Sequence, residues 1–316
     1  MAHKRYTSGF TLMELMIALA LGLLIVAAGL AVFLSSQRSL SLQSGMSELQ
    51  QNANFGLSLV THDLRHTNLN TASSHRVNNY NEGSGIIFKK ENLPTALRAT
   101  ANLEAEFVTL QNKDTDNTTG KSDRLTIQYT PATSTIFNCE GVQVTNASSK
   151  TIVQRYYVAE SPQQVTGEPT SYSLYCDAAS YDGAVMTGLG TGAQQIMQRV
   201  DAFKVRLGVK NPAGQLRYMT INEYIAAMNT IRGACATPIV EDTCSKTYLN
   251  VVSMDIGILS RSTGTIGANA NLNTQTSFNV AGIPVTLSGD EAVNKRYLRQ
   301  AVNQVVAIRN TLGASS

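Results

Sequence analysis

Three sets of residues have types and spacings that could do chemistry. The first is Glu14, a carboxylate at the head of an apolar run. Burying it would cost several kcal/mol unless a cation neutralises it, so its position asks for a positive partner. The second is His62 and His66, four apart with Asp63 between, so that on a helix both rings could face one metal ion. No cysteine, third histidine or paired carboxylate accompanies them locally, so a solvated helix face is the favoured reading and no metal is assigned. The third is Cys139, Cys176, Cys235 and Cys244. Four cysteines allow three connectivities, and spacing favours Cys139 with Cys176 and Cys235 with Cys244. A zinc site would need C-x-x-C spacing and flanking histidines, which are missing. Each bridge would add about 2–4 kcal/mol to stability.

Catalysis has little to draw on. There are four histidines, with His3 near the start and His75 beyond the helical pattern, and no G-x-S-x-G, H-E-x-x-H or phosphate-cradling glycine loop occurs. Asp114, Asp116 and Thr118 have the spacing that opens a calcium loop. Thr119, however, stands where an EF-hand needs Gly, and Leu125 where it needs its bidentate Glu. The Asn- and Thr-rich stretches Asn112 to Asp123 and Thr263 to Asn279 read as surface loops. Lys295, Arg296, Arg299 and Arg309 cluster near the end. A solvated sheet surface is favoured over DNA contact there, with phosphate binding left open. The net charge of +3 and a charged fraction of 15% make only a weak basic bias, which does not by itself propose a nucleic-acid binder. No enzyme activity, cofactor or small-molecule substrate is expected.

The elements that must position these groups begin with a long helix. From Leu15 to Leu34 the sequence carries no charge and no strongly polar group, and as a helix this run is roughly 30 Å long, the thickness of a bilayer core. His3, Lys4 and Arg5 precede it, then Thr7, Ser8 and Gly9, so the positive-inside rule keeps the start cytoplasmic and sends the rest outward, where disulfides persist. A cleaved secretory signal would have a shorter apolar core of about 7–15 residues, and Ala27, Ala28, Gly29 and Ala31 make only a weak late site. Beyond Leu34 the pattern turns amphipathic, with Met46, Leu49, Ala53, Leu57, Val60 and Leu64 on one stripe. One helix from about Phe10 to about His66 follows, about 85 Å long. Gly22, Gly29, Gly45 and Gly56 each cost it up to about 1 kcal/mol, either loosening the helix or permitting close packing.

From about Ser73 onward the chain reads as short strands between polar loops: Gly85 to Lys90, Arg124 to Thr130, Thr151 to Ala159, Tyr172 to Cys176, Phe203 to Val209, Tyr248 to Leu259 and Leu298 to Ile308. Alternation in Val205, Leu207 and Val209, and in Met254, Ile256 and Ile258, predicts an antiparallel sheet with one face covered by the long helix. One helix interrupts the strands, Thr220 to Ile231, with Thr220 and Glu223 in capping-box spacing. The expected fold class is α+β, with a membrane-spanning segment at 10–34, an amphipathic half at 35–72 and one β-rich head at 73–316.

Residues Gly9-Phe10-Thr11-Leu12-Met13-Glu14-Leu15-Met16-Ile17-Ala18 resemble the class III signal of type IV prepilins. The resemblance implies a leader of residues 1–9 cut by a prepilin peptidase between Gly9 and Phe10, N-methylation of Phe10, and retention of the apolar helix. It also implies that Glu14 pairs with the N-terminal ammonium of a neighbouring subunit, which supplies the missing cation. The C-terminal half resembles the PilW group of minor pilins, in Ile231-Arg232-Gly233-Ala234-Cys235-Ala236-Thr237-Pro238, in Val251-Val252-Ser253-Met254-Asp255-Ile256-Gly257-Ile258-Leu259-Ser260-Arg261, and in Ala307-Ile308-Arg309-Asn310. The chain without its leader is also roughly double the usual size of a major pilin, which argues for a minor subunit. That family implies a type IV pilin fold, partners among other minor pilins, the major pilin and a tip adhesin, and residence in the inner membrane, head outward, before assembly at a pilus tip. Pili of this kind support twitching motility, adhesion and DNA uptake. A tip-capping pseudopilin of type II secretion shares the signal, helix and sheet and is the alternative. A membrane-tethered hydrolase or binding protein is the third class.

Overall fold

A computed structural model describes residues 9–71, 76–98, 108–235, 239–265, 275–289 and 296–311. Helix α1 (Leu12–Leu64) runs unbroken through both the apolar and the amphipathic segments. Its two ends differ in surroundings. Residues 9–41 are exposed throughout, whereas Leu49, Ala53, Gly56, Leu57, Val60, Thr61 and Leu64 are buried. The buried set contains the expected stripe except for Met46, which stays 45% exposed, and adds Gly56 and Thr61.

The head holds two main antiparallel sheets among the described residues. The first orders β1 (Leu110–Asp114), β2 (Ser122–Tyr129), β5 (Thr151–Glu160) and β6 (Tyr172–Asp182), with β7 (Val185–Thr187) and β8 (Gln194–Gln198) on opposite halves of the outer edge of β6. The second orders β10 (Leu216–Thr220), β9 (Val200–Lys210), β11 (Asn250–Thr265) and β14 (Tyr297–Ala307). Two hairpins stand apart, β3 (Thr135–Phe137) with β4 (Gln143–Thr145) and β12 (Ser277–Val280) with β13 (Ile283–Thr286). Helix α2 (Ile221–Gly233) follows β10, and its capping box between Thr220 and Glu223 is present. A short α3 (Glu241–Cys244) precedes β11.

One apolar core joins both sheets to the stalk. Ala53, Leu57, Val60 and Leu64 of α1 meet Leu125, Ile127, Tyr156 and Leu174 of the first sheet and Phe203, Val205, Met254 and Ile256 of the second, while Ile221, Tyr224 and Met228 of α2 join them. Each fully buried aliphatic side chain contributes about 1.5–3 kcal/mol. The alternation in β9 and β11 marks this face correctly, but the opposite face is also covered. Ala202 and Leu259 pack against Phe278, Val280 and Val285 of the β12–β13 hairpin. On the first sheet, Val153, Ala179 and Tyr181 meet Ile87, Leu93 and Leu97.

The stretch Gly85 to Lys90, expected to be a strand, is one only at Ile86, which bridges to Ile127. Its other backbone groups are shared between neighbouring backbone and asparagine side chains: Ile87 N donates to Thr126 O, Gly85 O accepts from Gln128 N, Gly85 N donates to Asn68 Oδ1 and Phe88 N to Asn92 Oδ1. A turn of 3-10 helix (Lys90–Asn92) follows.

Of the four glycines in α1, Gly56 is the one that close packing requires. A Cβ there would lie 3.0 Å from Met197 Cβ and Sδ, whereas at Gly22 and Gly29 it would meet nothing within 4 Å. Gly56→Leu is therefore expected to destabilise the head by about 1–3 kcal/mol through overpacking. Denaturant unfolding of the detergent-solubilised protein measures this, and Met197→Ala in the same chain should restore part of the loss.

Candidate functional site

The N-terminus of α1 is built by a capping box that sequence reading overlooked. Thr11 Oγ1 accepts from Glu14 N at 3.3 Å, and Glu14 Oε2 accepts from Thr11 N and Thr11 Oγ1, each at 2.9 Å. The signal was legible, since Thr11-x-x-Glu14 is the S/T-x-x-E spacing of that motif. The carboxylate also lies at the positive end of the helix dipole. In the single chain Glu14 is thus held by neutral donors, and no ion pair to it occurs among the described residues. Phe10 projects beyond the cap, 92% exposed. From Leu12 to Leu34 the apolar side chains are all bare, so this helix is long and apolar enough to cross a membrane by length and composition.

The head contains a buried polar junction where a surface loop was expected. Between β1 and β2 the chain is only partly solvated: Thr115, Thr119 and Lys121 are exposed, but Asp114, Asp116, Asn117, Thr118, Ser122 and Asp123 are all buried. They diverge from one another instead of converging on a cation. Asp114 pairs with Arg124. Asp116 Oδ1 accepts from Thr118 N and Oγ1, each at 2.7 Å, and its Oδ2 accepts from Ser122 Oγ at 2.6 Å. Asp123 takes Asn112 N and Val205 N, each at 2.9 Å, and Lys204 Nζ lies 3.5 Å away. Asn117 Nδ2 donates to Asp201 Oδ1 at 2.7 Å. Arg299, read from the sequence as part of a solvated basic surface, has its side chain fully buried, its Nε 2.6 Å from Asp201 Oδ2, with Arg261 Nη1 3.6 Å from Oδ1. Arg296 and Arg309 are exposed, and Lys295 lies outside the described residues. Among the described residues of this group no basic patch forms: Arg299 is turned inward to neutralise an aspartate contributed by another strand.

The cysteines form two bridges, Cys139 to Cys176 and Cys235 to Cys244. The first ties the β3–β4 turn to β6; the second closes the segment between α2 and α3.

At the other end of α1, His62, Asp63 and His66 do not form the solvated face expected of them. His62 is exposed, but Asp63 and His66 are partly buried. Tyr156 Oη donates to Asp63 Oδ2 at 2.7 Å, and the His66 ring stacks on Tyr129 with centroids 5.5 Å apart. Burial, then the neighbouring His62, holds the His66 pKa below the ordinary imidazole value. His75 lies outside the described residues.

Two family models match parts of this chain. Residues 4–30 match the prokaryotic N-terminal methylation motif, and residues 155–310 match the family described as Type IV Pilus-assembly protein W. A type IV-like pilin from Thermus thermophilus is similar at 12% identity with a TM-score of 0.34, over 86% of this chain and 98% of that one. The comparison with curated proteins finds no match. A methylation motif leading an apolar helix that continues into an α+β head defines a type IV pilin-like protein. Within that class, residues 155–310 of the head carry the match to the pilus-assembly family.

Burial raises the pKa of Asp116 above the ordinary carboxylate value of 3.8, against the opposing pull of its hydrogen bonds to Ser122 and Thr118. A carboxyl raised in this way favours folding fully below 3.8, and that contribution is lost as pH rises through its higher folded-state value. Between about pH 4 and pH 7 the wild type should therefore lose melting temperature relative to Asp116→Asn, whose side chain does not titrate. A difference between the two that is constant with pH would contradict the assignment.

Proposed function

We propose that this protein is a minor pilin of the complex that primes type IV pilus assembly and remains at the pilus tip. The observation that carries the reading is the joint match of the N-terminus to the methylation motif and of residues 155–310 to the pilus-assembly family. In this reading a prepilin peptidase cuts between Gly9 and Phe10, Phe10 is methylated, and residues from Phe10 onward keep the protomer in the inner membrane, head outward, until assembly. Its partners are other minor pilins, the major pilin and a tip adhesin. Adhesion, twitching motility and DNA uptake follow from the pilus, not from any reaction in the head.

The physical step is an exchange of neighbours. The exposed apolar helix leaves lipid for a bundle of like helices, trading one apolar cover for another. Glu14 sets the register. Its two capping bonds both use Oε2, so Oε1 is the oxygen that a neighbour's N-terminal ammonium would take. Such a pair attracts strongly in the low dielectric of a helical bundle, and a carboxylate placed there without its cation would be costly. A bulky head also makes one copy at an end sterically easier than many along a shaft.

Glu14→Ala is expected to reduce the protein in sheared pilus fractions, read by immunoblot, while the head stays folded; wild-type amounts would sink the role given to Glu14. Deleting the protein should collapse surface pilus yield, with recovery on complementation. Normal pilus yield would instead favour a secretion pseudopilin.

A further inference from the structure

The group at the end of α1 is organised beyond what packing or pilus assembly asks of it. His62, Asp63 and His66 each offer one ligand atom, and these atoms all lie within 4.8 Å of one another. Asp63 Oδ1 is 3.3 Å from His62 Nδ1. Two donors at about 2.0–2.1 Å from a tetrahedral ion would sit about 3.4 Å apart, so this pair already has the spacing of adjacent ligands. The His62 side chain is 72% exposed and so has solvent space in which to turn toward an ion shared with His66.

Two of the three groups are held from outside the helix. Tyr156 Oη fixes Asp63 through Oδ2 and leaves Oδ1 toward His62, the arrangement by which an outer hydrogen bond orients a ligating carboxylate. Tyr129 stacks on the His66 ring and sets its plane. The exposed side of His62 gives an ion its way in.

We propose that His62, Asp63 and His66 form a three-ligand site for a borderline divalent transition-metal ion of the Zn2+ class, with a fourth position open to water or to a donor from a partner. Two imidazoles and one carboxylate suit such an ion, whereas Ca2+ and Mg2+ want six or more ligands that are mainly oxygen. Binding would tie the last turn of α1 to the first residues beyond it, against the face of the first sheet that carries Tyr129 and Tyr156. The inference stands on this geometry alone and does not depend on the assembly reading.

Calorimetric titration of the full-length protein in detergent micelles with Zn2+ alone should show one ion per chain. His62→Ala, a change at an exposed side chain, should weaken binding at least about tenfold with unfolding behaviour preserved. His3 and His75 supply the other imidazoles in the chain, so the variant His3→Ala with His75→Ala should bind as the wild type does. Absence of Zn2+ binding, equal affinity for Ca2+, an unchanged affinity in His62→Ala, or loss confined to the His3 and His75 variant would each overturn the site.

Discussion

Burial of one narrow stripe of α1 is the contact on which the head depends. Leu57, Val60 and Leu64 contribute side chains to a core that both sheets and α2 share, so neither sheet closes its inner face without the helix. The constraint is sharpest at Gly56, where α1 approaches β8 so closely that a Cβ would stand 3.0 Å from Met197 and push it aside. That approach explains why a residue that weakens helices is kept in the middle of one: the loss of up to about 1 kcal/mol in propensity is offset by apolar area removed from water on both sides.

Around this apolar centre the second sheet is fastened by charge. Asp201 of β9 lies between Arg299 of β14 and Arg261 of β11, and Asn117 of the β1–β2 connection donates to the same carboxylate. Lys204 of β9 meets Asn112 Oδ1 at 2.7 Å and stands beside Asp123. Taking these ions out of water largely cancels their attraction, so they add little net stability, yet removing one partner alone would cost about 3–5 kcal/mol. Their effect is on placement: the connection between β1 and β2 can seat on β9 only in the register that pairs every charge.

These two layers explain what sequence did and did not reveal. The stalk was legible because a helix repeats every 3.6 residues and its stripe of Leu49, Ala53, Leu57, Val60 and Leu64 is local. Strands β9, β11 and β14 and the capped helix at Thr220 were legible from equally local patterns, whereas β10 (Leu216–Thr220) was not among the expected strands. Partners distant in sequence left no periodic trace. Asp123 and Lys204 are 81 residues apart and Arg299 and Asp201 are 98 apart, so Asn112 to Asp123 looked like a solvated loop and Arg299 like a surface cation. Coverage of the second sheet's outer face was hidden too, because the β12–β13 hairpin lies in the Asn- and Thr-rich stretch and the residues after it, between β11 and β14, where no strand was expected. The Thr11–Glu14 cap had a local signature, but it was overshadowed by the search for a cation.

The halves of α1 then divide the labour physically. No side chain from Leu12 to Leu34 is buried, so the head's core takes nothing from that segment and loses nothing if its surroundings change. A bare apolar surface of that length cannot stay in water; lipid or other helices must cover it. Since the stripe that organises the head begins at Leu49, replacing lipid by neighbouring helices leaves every head contact intact. The protomer can move from one cover to the other without refolding, and the unbroken run of α1 from Leu12 to Leu64 carries the head with it.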